Sequence, residues 1–386
     1  MKFKDYLTPV NNKLLEINSN LDKFKLANNI CILNPLDNYN LKDFDLAILG
    51  IPEERNSQFI GCKLTPDLVR TQLYNLYRPN NKTNIIDLGN IIPGNTVNDT
   101  YAAFRDILIE LLNCNVIPII IGGSNDLTFA NYLAYEKLEQ AINIVSIDSK
   151  INLSVSNTEN LLYSYLNEII MRKNNRLFNF SNIGYQSYFV SQEEIDLANN
   201  LFFDYYRLGS IQNNLKKVEP ILRDADIISF CISAIKQSDA PGNSNSSPNG
   251  FYGEEACQIA KYAGISDKVS SFGLYDLNPK FDKHNQTTHL AAQIIWHFIE
   301  GFYQRKKDYP FTEIDNYQKF IVHLVKIDHD LVFYKSNKTD RWWLEIPYIK
   351  SLGKKNLIVA CSYEDYQMAC NHEIPDRWWK IYQKIS

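Results

Sequence analysis

Short apolar runs rich in β-branched residues recur along the chain: LAILGIP (46–52), NIIDLGN (84–90), VIPIIIGG (116–123), INIVSID (142–148), NIGYQ (182–186), DIISFCIS (226–233) and VSSFGLYDL (269–277), with FFDYYRL (202–208) as a further candidate. Runs that are apolar on both sides, with little alternation, suit strands covered on both faces. Helix-period segments separate them, among them TPDLVRTQLYNLY (65–77), AAFRDILIELLNC (102–114), ENLLYSYLNEIIMRK (159–173) and YGEEACQIAKYAG (252–264). Strand–helix alternation on this scale predicts an α/β fold of three layers, α/β/α, around a parallel sheet of about eight strands. Local punctuation agrees. Ser191 and Glu194 have capping-box spacing, and Pro66 falls at the first position of a helix.

From about Asp308 the pattern changes to YQKFIVHLVKIDHDLVFYKSNKTDRWWLEIPY and then NLIVACSYEDYQMACNHEIPDRWW. The reading therefore divides the chain into an N-terminal extension (1–44), an α/β domain (45–305) and a small, Trp-rich α+β appendage (306–386). Asp-Arg-Trp-Trp occurs twice, at 340–343 and 376–379. In an extended strand, neighbouring side chains face opposite ways, so one tryptophan of each pair, Trp342/Trp343 and Trp378/Trp379, needs cover. An interface with a second copy or a protein partner supplies it in one reading, since Trp and Arg concentrate at binding hot spots. In the other, the tryptophans are the core of a small β-element in which 333–343 form a hairpin.

Composition narrows the function. With 40 Lys+Arg against 44 Asp+Glu the net charge is −4, which provides no basic field for nucleic acid. The N-terminus lacks the apolar stretch of a signal peptide, and no run approaches the ~18 apolar residues of a membrane span, so a cytoplasmic protein is expected. Seven cysteines, with no CxxC pair, read as reduced thiols, most of them core. The polar loop QSDAPGNSNSSPNG (237–250) comes after the C-terminal end of a strand, where open parallel sheets place binding loops; a mobile surface loop is the plainer alternative.

Several segments, in order, resemble the ureohydrolases, the arginase–agmatinase–formimidoylglutamase family. GIPEERNS (50–57) and LTPDLVR (64–70) look like its first strand and helix start. IIDLGN (85–90) looks like its "DxGD" strand, IPIIIGGSNDLT (117–128) like "GGDHS" and VSIDSKINL (145–153) like "DAHxD". ISFCISAIKQSDAPG (228–242) resembles "SxDxDxxDPxxAPG", and GLYDLNPKFDKHNQTTHLAAQII (273–295) the closing "ExNPxxDxxxxTxxLAA" block. The resemblance spans roughly 45–300 and is nearest to the formimidoylglutamase branch. It implies hydrolysis of guanidino or formimino C–N bonds by water bridged between two manganese ions. Two close hard cations need several carboxylates, helped by neutral imidazoles.

Carried over by motif, those metal-binding positions fall on Asn125, Asp148, Lys150, Asn152, Cys231 and Ser233. Only Asp148 is a family-type ligand, and no histidine precedes His284. The expectation is therefore a metal-free site with the ancestral manganese pair lost and no cofactor. If residues 148, 150 and 152 share a strand face, Lys150 pairs with Asp148 in the vacated site. Cys231 stands where a carboxylate ligand would, and reads as a small core residue or as a thiol able to attack an amidine carbon. Ser233 has no base beside it. Asp276 aligns with the family's guanidinium-gripping acid, which implies a small cationic ligand. His289, His323 and His329 read as packed. The resulting reading is a homo-oligomeric pseudo-ureohydrolase used for ligand binding or assembly. The alternative is an active hydrolase of linear amidines, metal-independent through Cys231 or with ligands from other positions.

Overall fold

The computed structural model describes the chain apart from residues 1–3, 12–13, 15–21, 35, 58–59, 80–83, 155–163, 310–315, 325–327, 351–352 and 386. Its strands are β1 (Leu7–Thr8), β2 (Ile30–Ile32), β3 (Leu46–Gly50), β4 (Ile85–Ile91), β5 (Ile117–Ile121), β6 (Ile142–Ile147), β7 (Leu177–Tyr185), β8 (Asp204–Arg207), β9 (Ile227–Cys231), β10 (Ser271–Tyr275), β11 (Tyr317–Leu324), β12 (His329–Ser336), β13 (Trp342–Lys350) and β14 (Gly353–Cys361).

Strands β1 to β10 form one sheet in the order β1-β4-β3-β5-β10-β9-β6-β7-β8, with β2 also on β4. The eight strands from β3 to β10 are parallel, as the apolar runs predicted. The segment expected to be an N-terminal extension adds to the same sheet. β2 runs parallel to the first half of β4 and β1 antiparallel to its end. That covers an edge otherwise open to pairing with another chain.

The strand runs are apolar throughout because both faces are buried. Leu46 and Ile48 of β3 pack with Val69, Leu73 and Ile295 from the helices Thr65–Leu73 and Gln286–Phe302. Ala47 and Leu49 pack on the other face with Phe104 and Leu108 of the helix Val97–Asn113. The period-2 alternation thus divides one apolar run between two cores. The Ser191 capping box forms, and Pro66 opens its helix. Of the helix expected over 159–173, the described part is Tyr165–Ile170; 159–163 lie outside the described residues.

Strands β11 to β14 form a separate four-stranded antiparallel sheet. Its β12–β13 connection is the hairpin expected over 333–343, with Lys335 opposite Trp342. The interface expectation for the tryptophans is corrected here at three of four positions. Both faces of β13 are covered, so Trp342 and Trp343 are both buried. Trp342 stacks on Tyr366, 4.8 Å between ring centres, and Trp343 lies under the Arg223 guanidinium at 4.5 Å. The second Asp-Arg-Trp-Trp is not extended at all: it opens the helix Asp376–Ile385. Trp378 stacks there on Tyr382 and is buried, while Trp379 is 45% exposed.

The small sheet docks on the body at the N-terminal ends of β8 and β9. Arg223 Nη2 donates to the carbonyls of Trp342 (3.0 Å) and Cys361 (2.8 Å). The Asp224 carboxylate accepts the Ala360 N–H at 2.8 Å, and Lys380 pairs with Asp204 at 3.0 Å.

Candidate functional site

The four central strands, β5, β10, β9 and β6, lie side by side and deliver their C-terminal ends to one place. Beyond β5, Gly122 and Gly123 turn the chain with φ of 92° and 72°. Gly123 combines that left-handed φ with the Glu53 carbonyl 3.0 Å from where a Cβ would stand, so glycine suits the turn that runs directly into the helix Leu127–Lys137. That turn carries Asn125. Asp148 comes directly after β6, Cys231 ends β9 with Ser233 in the next turn, and Asp276 comes directly after β10 in a left-handed conformation (φ 62°).

Asp148 is buried and engaged on both oxygens. Oδ2 accepts Asn125 Nδ2 at 3.0 Å and Asn152 Nδ2 at 2.7 Å. Oδ1 accepts the Ser233 hydroxyl at 2.6 Å and the backbone N–H of Lys150 at 3.2 Å. Neutral donors hold this carboxylate; no described cation does. Asp276 accepts the Asn125 N–H at 3.1 Å on one oxygen and the Cys231 thiol at 3.1 Å on the other. Burial, with Asp148 and Asp126 adding repulsion, pushes Asp276 up to about 7. Burial, and then the same-charge neighbours Asp148 and Asp276, pushes the Cys231 thiol well up, away from the thiolate.

These groups open into a cleft of about 770 Å³, bordered also by Asn56, Phe189, Glu193 and Asn245. The carboxylates on its wall are Asp126, Asp148, Glu193, Glu194 and Asp276, and among the described lining residues the one cationic side chain is Lys150. Acid in this excess draws cations. The loop 237–250 supplies Ser244 and Asn245 to the wall, which favours its reading as a binding loop.

Asn125, Asp148, Asn152, Cys231, Ser233 and Asp276 thus converge as the motifs implied. Lys150 does not join them, and the expected ion pair is corrected. The strand ends at Ile147 and Asn152 is left-handed (φ 59°), so residues 148, 150 and 152 share no strand face. Lys150 is exposed at the cleft, with no described carboxylate within 4.0 Å of its ammonium. Lys150→Met, expected from the sequence to unpair a buried acid, should instead leave stability within about 0.5 kcal/mol, as at most surface positions; thermal melts check this. Of the histidines expected to be packed, His289 and His323 are exposed, and His329 lies against Trp378.

The sequence reading missed Asp126, whose carboxylate accepts from Tyr101, Ser124 and Asn56 beside the cleft. Its adjacency to Asn125 on the Gly-Gly turn was the signal.

A parallel sheet whose central strands open onto one acidic cleft defines an α/β protein with its cleft at the strand C-termini, where such sheets place binding loops. The profile of the arginase family matches residues 44–300, and the chain belongs to that family. Formimidoylglutamase of Staphylococcus haemolyticus (strain JCSC1435) is 26% identical over 268 residues, 64% of this chain and 81% of that protein. Formimidoylglutamase of Staphylococcus aureus (strain MSSA476) is 26% identical over 66% of this chain and 86% of that one. Among solved structures, Trypanosoma cruzi formiminoglutamase with Mn2+2 superposes with a TM-score of 0.63 at 19% identity, over 70% of this chain and 97% of that one. Formimidoylglutamase of Bacillus subtilis gives 0.64 at 18%, over 75% and 95%. No described helix is long and apolar enough to cross a membrane.

The expectation that this chain uses no cofactor is corrected by these relatives: a solved structure of the same fold, Trypanosoma cruzi formiminoglutamase, holds manganese. The residues here do not fit a manganese pair as they stand. Among the described residues no three His, Cys, Asp or Glu side chains are grouped to hold an ion. Asp148 spends both oxygens on amides and hydroxyls, and the amide of Asn125 and hydroxyl of Ser233 point at it as donors.

Proposed function

We propose that this arginase-family protein binds a small cationic amidine or guanidinium compound in its central cleft and does not hydrolyse it. The observation that carries this reading is the pairing of an acid-walled cleft with the absence, among its described lining residues, of any histidine or accessible thiolate. Hydrolysing an amidine needs a nucleophile and a proton acceptor beside it. In this reading the cation is held by Asp276, whose described partners are one backbone N–H and one thiol.

The competing reading is a formimidoylglutamase-type hydrolase, the name its relatives carry. Its metal-independent form needs Cys231 as nucleophile, and the raised thiol disfavours that. Titration calorimetry with agmatine, arginine and formimidoyl-glutamate, each with and without added manganese, separates the two. Saturable binding without release of urea or formamide is expected; turnover above the solution rate in either condition would refute the binding reading.

Asp276 also fixes a pH dependence. Cation binding should strengthen as pH rises through about 7, where Asp276 ionises. For stability the sign is opposite. The folded chain keeps the proton up to about 7, while an unfolded aspartate releases it near ~3.9. The native state binds more protons in that window, so this group's contribution falls as pH rises through it. Asp276→Asn should therefore abolish binding yet raise stability at pH 8 by about 2 kcal/mol, since the amide carries no charge to desolvate. Melting temperature against pH for both proteins is the check, and parallel curves would rule it out.

A further inference from the structure

A second cleft, of about 580 Å³, opens at the C-terminal ends of β7 and β8. It neighbours the first and draws on the same two segments. Tyr188 and the 248–250 stretch line the second, whereas Phe189 and Asn245 line the first. Its charge is different. Arg207, the last residue of β8, reaches it with an exposed guanidinium whose Nη2 donates to Ser187 Oγ at 2.9 Å. No described carboxylate lies within 4.0 Å of that guanidinium, in contrast to the buried Arg70 and the half-buried Arg377.

Lys236 adds a second cation, its ammonium shared with Asp239 at 3.6 Å. The one acid on the described wall, Glu255, is already committed. Its Oε2 accepts the Tyr252 N–H at 2.9 Å and Gln212 Nε2 at 3.1 Å, capping the helix Gly253–Ile265. The aromatic walls are held in place before any ligand arrives. Tyr188, 61% exposed, has its hydroxyl fixed between Gln186 and Asn249. Tyr252, 48% exposed, has Lys236 Nζ 3.6 Å from its ring centre. Two exposed, anchored rings lining one cleft with a guanidinium that no described carboxylate pairs are a surface suited to a ligand.

We infer that this second cleft binds a small organic anion, a carboxylate or phosphate gripped by the Arg207 fork between the Tyr188 and Tyr252 rings. A planar guanidinium presents paired N–H donors that match two oxygens of either group, and a tyrosine face accommodates the organic part beside it. This site is distinct from the acid-walled cleft and does not depend on what that cleft does.

Titration calorimetry of the full chain with inorganic phosphate and, separately, with glutarate tests it. At least one probe should bind saturably, and the tighter of the two identifies the group. Arg207→Gln should weaken that binding by about tenfold or more, the usual loss of a charged hydrogen-bond partner. Asp276→Asn, in the other cleft, should leave it unchanged. Arg207 is exposed, so an unaltered thermal melt is expected to show that its variant is folded. The inference is overturned if neither probe saturates, if folded Arg207→Gln binds as tightly as the parent, or if Asp276→Asn abolishes anion binding as well.

Discussion

Arg70→Met should lower the stability of the chain by about 3–5 kcal/mol, the typical cost of breaking a buried ion pair from one side. Arg70 and Asp87 are both fully buried. The guanidinium makes a two-pronged contact, Nε to Oδ2 at 2.8 Å and Nη2 to Oδ1 at 2.9 Å, and also donates to the Gly89 carbonyl at 2.8 Å. Tyr74 completes the shell of Asp87 at 2.8 Å. Methionine fills most of the volume, but it leaves the carboxylate of Asp87 without its counter-ion in the dry centre, held by Tyr74 and the Gly89 N–H alone. The same pair replaced together, Arg70→Met with Asp87→Leu, should recover much of the loss, since the penalty lies in the stranded charge. Urea midpoints at unchanged slope measure both. A single-variant loss below about 1 kcal/mol would show that the pair is not the lock between those elements.

The second large effect is expected in the small sheet. Trp343→Ala should cost about 3–5 kcal/mol, because the ring is wholly buried between Tyr317, 5.6 Å away, and the Arg223 guanidinium. The variant leaves a cavity and removes the aromatic face over Arg223, whose Nη1 has no described hydrogen-bond acceptor and whose Nε has only the Glu219 carboxylate at 3.5 Å. Sedimentation should show an unaltered distribution of species while the melting temperature falls sharply. A changed distribution with a normal melt would restore the interface reading of this tryptophan.

The sequence made the body legible because a doubly covered strand leaves an apolar run of a kind loops rarely show, and β3, β5 and β9 are such runs. The convergence of Asn125, Asp148, Cys231 and Asp276 was legible as well, since each lies at or just beyond the end of a central strand. Lys150 was misplaced because the two-residue period was extended past Ile147, where the strand stops and the period loses meaning. Trp378 and Trp379 were misread by the echo of a tetrapeptide. The residues on the C-terminal side of each copy decide its structure: LEIPYIK continues as β13, whereas KIYQKI sets Trp378, Ile381, Tyr382 and Ile385 at helical spacing. The β1 and β2 pairing was invisible because two- and three-residue strands carry too little pattern to register.

The docking of the small sheet also sets an order of events in synthesis. Arg223 and Asp224 find their backbone partners 119 to 138 residues further along the chain. The body leaves the ribosome first and begins to fold while those partners are still unmade. Until β13 and β14 arrive, the chain leading into β9 presents the Arg223 guanidinium without the Trp342 and Cys361 carbonyls and without the Trp343 ring, and the Asp224 carboxylate without the Ala360 N–H. A nascent chain that stalls before that point carries a visible mark of incompleteness, of the sort that chaperones and proteases use to sort unfinished products from finished ones.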